Sequence, residues 1–152
     1  MKDYLENLDN AKNELKRVDH LIFVSLKYTR TVDVIRSVIE RMLNAFEFGV
    51  NALIEKKKAR KKKLEVPIQI KLKCGLVKEE YDDEKLAEYL DFYLRLREIL
   101  KVKYTRREEY RRYVTMISEL SPGEVVEIGI DQLNEYHKIV KEFVEYTEGL
   151  IK

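Results

Sequence analysis

Histidine and cysteine are nearly missing from this chain of 152 residues, where His20, His137 and Cys74 are the whole supply. One cysteine cannot close an internal disulfide, which fits a reducing compartment. Three such residues scattered along the chain are poor material for a nitrogen and sulfur metal site, so no metal and no cofactor is expected. Glycine (5) and proline (2) are sparse as well, and no glycine loop of the phosphate-cradling kinds is present. Long apolar runs are also lacking. No window approaches the roughly 18 uninterrupted apolar residues of a membrane span. Met1-Lys2-Asp3-Tyr4-Leu5-Glu6-Asn7 has neither an apolar signal core nor an amphipathic basic presequence. The expectation is a cytoplasmic protein without a membrane partner. Neither histidine has a serine, cysteine or carboxylate at an indicative spacing, and no catalytic residue is assigned.

Charge, by contrast, is abundant. Charged residues make up 38% of the chain, yet 30 basic against 28 acidic residues leave only +2. Net charge therefore decides nothing, and the local distribution carries the information. Abundant Lys and Glu with few Pro and Gly suit a thermophile's surface, and equally a protein of long helices. The length fits a single domain over 1–152. Folding at this size buries roughly 70% of the unfolded surface.

Hydrophobic spacing predicts a mainly α fold. Tyr4, Leu8, Ala11, Leu15, Val18 and Ile22 recur every three or four residues and draw one helix face. Leu21, Ile22, Phe23, Val24 and Leu26 then form a denser run, expected to be buried on more than one side. Thr31 and Asp33 are cap candidates for a second long helix, with a break at about Tyr28–Thr31. In that second helix Ile35, Val38, Ile39, Met42, Phe46, Val50 and Leu53 make one continuous apolar stripe. So short a link predicts that the two helices pack antiparallel. Val66-Pro67 is expected to end the second helix, and a short helix over Ile68–Lys78 to open on the proline. Asp82 and Asp83 read as an N-cap for a helix carrying Leu86, Tyr89, Leu90, Tyr93, Leu96, Ile99 and Leu100, to about Lys103.

The period changes near Arg112. Tyr113–Ile117 and Val125–Ile130 are rich in branched residues and flank Ser121-Pro122-Gly123, which predicts a β-hairpin at about 112–130. A helix over Arg106–Leu120 is the competing expectation. Asp131 is the expected cap of a last helix presenting Leu133, Tyr136, Val140, Phe143 and Leu150. The fold class is thus a helical bundle of four principal helices with a short helix and a hairpin insertion.

Two basic clusters are the candidate sites. Lys56, Lys57, Lys58, Arg60, Lys61, Lys62 and Lys63 form a run that surrounds a helix and repels itself unless screened or bound to anions. Nucleic acid offers such anions as a regular phosphate array. The run lacks aromatics, so its contacts would be sequence-independent. Equally, it reads as a solvated helix end without a partner. The second cluster is Arg106, Arg107, Arg111 and Arg112, near Lys101 and Lys103, with Tyr104, Tyr110 and Tyr113 interleaved. Guanidinium and phenol together suit RNA, since both stack on bases and arginine grips phosphate in two places. Glu108 and Glu109 offer those arginines a structural alternative. Asp82-Asp83-Glu84 reads as a cap, with an oxygen-ligated cation as a minor alternative.

The order of two long antiparallel helices, shorter helices and a small β element, together with the segment Val34–Phe46, resembles the HEPN superfamily (higher eukaryote and prokaryote nucleotide-binding domains). Many members are RNases that use an arginine followed by four to six residues and a histidine. Here no arginine precedes His20 or His137 at that spacing. The nearest stretch, Arg106-Arg107-Glu108-Glu109-Tyr110-Arg111-Arg112-Tyr113, has tyrosine where histidine is needed, and tyrosine does not take up a proton near neutral pH. The resemblance implies a non-catalytic binding relative that dimerises. Three functions follow in order of expectation: a non-enzymatic protein binding RNA or a ribonucleoprotein through its basic clusters, a homodimer or partner-helix interaction module, and an RNase.

Overall fold

In a computed structural model, which describes residues 3–152, the chain is mainly helical with a small antiparallel sheet of three strands. Helix α1 (Asp3–His20) passes through a π-helical turn at Leu21–Ser25 into a one-turn α2 (Leu26–Tyr28), and α3 (Val32–Arg60) follows. After it come α4 (Ile70–Tyr81), α5 (Glu84–Lys101), strands β1 (Tyr104–Arg107), β2 (Thr115–Ser121) and β3 (Glu124–Ile128), then α6 (Ile130–Ile151).

Every residue of the α3 stripe from Ile35 to Leu53 is buried. Lys56 reaches the ring of Tyr4 while Arg41 pairs with Glu14, so α1 and α3 run in opposite directions. Phe46 stands at the middle, its ring centroid 4.6 Å from Phe143 on α6, 5.5 Å from Tyr93 and 6.1 Å from Phe92 on α5. Gly49 lies one turn further along, and a Cβ there would come within 2.5 Å of the Phe143 ring. The backbone of α3 and the aromatic ring of α6 are therefore in direct contact. Burial also pushes the Cys74 thiol up to about 11.

Local signals explain most boundaries. Thr31 caps α3 by accepting the Val34 N–H at 3.3 Å. Asp83 caps α5 by accepting the Leu86 N–H at 2.9 Å. In the hairpin, Pro122 precedes Gly123, whose φ of +83° is the conformation that a type II turn needs at its third residue. The β2–β3 hairpin falls inside the expected 112–130 segment, which overturns the helix over Arg106–Leu120.

Four expectations are corrected. The hairpin is part of a three-stranded meander, because β1 pairs with β2 from Tyr104↔Ser118 to Arg107↔Thr115. An edge strand with one neighbour and a charged outer side has no hydrophobic alternation to betray it. Helix α3 ends at Arg60, well before Val66-Pro67, so Lys61, Lys62 and Lys63 lie beyond it. Last-turn cations still complement the helix dipole, but a longer positive run repels itself. Phe23 and Val24 are exposed, since the π-helical turn rotates them away from the core, while Ile22 and Leu26 stay buried. Finally, Gly129 and not Asp131 is the cap of α6, its N–H donating to the Gln132 side chain at 2.9 Å.

The Asp83 cap carries a pH prediction. Tyr146 donates its hydroxyl to the second carboxylate oxygen at 2.5 Å. That bond first, and the Leu86 N–H second, hold the Asp83 carboxyl below its ordinary value. A lowered folded pKa contributes stability above the unfolded value near 4, and this is lost as pH falls through the folded value. Asp83→Ala is expected to cost about 1–2 kcal/mol at neutral pH. Melting curves of both proteins should converge below pH ~4; a constant gap down to strong acid would contradict this.

Candidate nucleic-acid interface

The two basic clusters are not brought together. Helix α3 has 29 residues, which at 1.5 Å per residue is about 43 Å, and the clusters sit at its opposite ends.

At the C-terminal end the lysine run is divided by its partners. Lys56 lies 4.7 Å from the ring centroid of Tyr4, and Lys57 4.7 Å from that of Tyr81. Tyr81 is itself fixed, its hydroxyl donating to the Leu53 carbonyl at 2.7 Å. Lys61 pairs with Glu80 at 2.7 Å. Lys58, Lys62 and Lys63 are exposed and have no carboxylate partner among the described residues. Arg60 is exposed beside them, and with Asp3, Tyr4, Glu55, Lys56, Lys58 and Ala59 it lines an open groove of about 650 Å³. Cation–π contacts and the helix dipole thus quiet part of the run without any outside anion.

At the N-terminal end the arginine cluster is divided more sharply. Arg106 bridges Asp33 at 3.0 Å and Glu109 at 3.3 Å, and these acids hold its already basic guanidinium more firmly protonated. Arg107 pairs with Glu127 at 2.5 Å across the sheet. Glu109 has a second task, because its carboxylate accepts the Val32 N–H at 3.0 Å and so caps α3 from 77 residues away. The Tyr110 N–H donates to the Arg30 carbonyl at 2.6 Å. These contacts fasten the 108–113 loop onto the start of α3 and leave Arg111 and Arg112 pointing outward and exposed. The guanidinium of Arg112 lies 5.4 Å from the Tyr113 ring centroid.

The histidines are placed differently from each other. His20 is exposed and lines a groove with Lys16, Arg17, Leu21 and Arg41, although Arg17 and Arg41 are turned to the buried Glu14. His137 contacts the Asp19 carboxylate and meets the Phe23 ring edge-on. That carboxylate is 118 positions away, so no spacing rule would have found it. Among the described residues there is no cluster of three metal-ligating side chains, and Asp83 is occupied as a cap.

Taken together, the described residues make a mainly helical protein with a small antiparallel sheet and two basic ends. Among the described residues no helix is long and apolar enough to cross a membrane. No protein-family model, curated protein or solved structure matches the chain.

Proposed function

We propose that this is a non-enzymatic RNA-binding protein that holds phosphates with Lys58, Lys62 and Lys63 as leading contacts and Arg111 and Arg112 as a second set. One observation carries the reading. These five cations are exposed without a carboxylate partner among the described residues, whereas Lys61, Arg106 and Arg107 each have one. A phosphate array supplies the missing counter-charge and releases its own counterions in doing so. We take α1, α3, α5 and α6 for a four-helix bundle of the HEPN kind. That resemblance favours binding over cleavage, because Tyr113 stands where the family's histidine would follow Arg106.

Charge reversal of Lys58, Lys62 and Lys63 to glutamate is the test, with binding to mixed cellular RNA followed across a salt series. The plot of log affinity against log salt is expected to become shallower by about three, one for each lost phosphate contact. Melting temperature should hardly change. A wild-type protein that fails to bind RNA at low salt, with a clean dimer mass, would sink the reading. That outcome would favour an interaction module, to which Ile68, 94% exposed, would contribute an apolar contact.

A further inference from the structure

We infer that the 108–113 loop is a stacking platform for unpaired bases, with Tyr110 and Tyr113 as the rings and Arg111 and Arg112 as the phosphate contacts between them. The inference rests on the RNA-binding reading and names the form of RNA that the protein prefers, which is single-stranded.

Three independent observations meet here. The first is exposure: Tyr110 is 78% and Tyr113 65% exposed, and Tyr28, which ends α2 two residues before the Arg30 that holds the loop, is 80% exposed. Aromatic rings left this open on a soluble surface give up burial that they would gain elsewhere. The second is backbone conformation. Glu108 at φ +53° and Tyr110 at φ +65° are the left-handed residues of the loop, and neither is glycine. Such residues persist only where surrounding structure holds them, and they gather at functional segments. The Glu109 cap and the Tyr110 N–H bond to Arg30 supply that hold. They explain why the loop is docked. They do not explain why the rings of Tyr110 and Tyr113 face water.

The third observation is charge. Of the acids around the loop, Asp33, Glu109 and Glu127 are matched by Arg106 and Arg107, while Asp131 lines a pocket with Arg112 and Tyr113. Among the described residues Lys27, Arg30, Arg111 and Arg112 have no carboxylate partner, against two unmatched acids, Glu108 and Asp131. The spare charge is therefore positive. Rings with interleaved arginines recognise the faces of bases and the phosphates between them, and a base is available for stacking only when unpaired. Duplex RNA, its bases already stacked, would meet only the arginines.

Binding of a fluorescent uridine oligomer and of an RNA duplex of equal length distinguishes the possibilities. The double variant Tyr110→Ala/Tyr113→Ala is expected to weaken single-strand binding about tenfold or more, leaving duplex binding within about twofold. Tyr110→Phe/Tyr113→Phe keeps both, since a phenyl ring also stacks. The lysine-reversed variant weakens both alike, which reports on the RNA reading separately. Equal losses on the two RNAs, or none, in the alanine variant overturn the platform and leave that reading standing. A wild type that binds neither RNA overturns both. Photocrosslinking of a 4-thiouridine oligomer to the wild-type protein avoids any concern over folding. Crosslinks are expected within residues 108–113, and crosslinks confined to 56–63 overturn the inference.

Discussion

Phe46→Ala is expected to lower stability by about 3–5 kcal/mol, the cost of deleting a fully buried aromatic side chain. The ring is 0% exposed and touches aromatic residues of two other helices, α5 and α6. Truncation removes its transfer energy and leaves a space that neither helix can fill alone. Against a total of about 5–15 kcal/mol this is a large share, and the melting temperature should fall on the order of 10 °C. Phe46→Leu keeps most of the volume and should cost clearly less. A fall of only a degree or two for the alanine variant would mean that the ring is not the centre of the core.

Gly49→Val should be nearly as damaging, for the opposite reason. A Cβ at this position comes within 2.5 Å of Cε2 and 2.8 Å of Cζ of Phe143. That ring is buried against Phe46 and cannot swing clear. Overpacking of this kind costs about 3 kcal/mol at the upper end of its usual range. Gly75 in α4 provides the control, since nothing lies within 4 Å of its missing Cβ. There Gly→Ala should stabilise the protein by about 0.5–1 kcal/mol through helix propensity. Two helical glycines thus respond with opposite signs, which chemical denaturation of both variants will show. Equal responses would contradict the close approach of α3 and α6.

The sequence shows where its helices bury themselves, because the stripe in α3 and that in α5 are set by a period of 3.6 that tertiary structure did not alter. Leu86, Tyr89, Leu90, Tyr93, Leu96 and Ile99 are all buried as their spacing implies. The Thr31 and Asp83 caps were legible for the same local reason. Features that depend on meetings between distant segments were not. Tyr104–Arg107 looks like a charged linker until β2 lies beside it. Phe23 and Val24 look like core until the π-helical turn displaces them. At the candidate site, residue types identified Arg106 and Arg111 as equals, and only Asp33 and Glu109, which consume the first, separate them. Tyr28 joins the exposed rings through a backbone bond between Arg30 and Tyr110 that no pattern announces.

Helix α6 is synthesised after the other described elements, yet it brings Phe143 to Gly49 and Phe46 and Glu148 to Lys12. While the ribosome is still making the sheet, Phe46 can meet Tyr93 and Phe92 of α5, but the side of α3 that Phe143 covers stays open. A nascent chain interrupted before residue 143 therefore presents buried-type surface to its surroundings and depends on chaperones or rapid completion. Late closure ties the quality of this protein to the pace of its own translation.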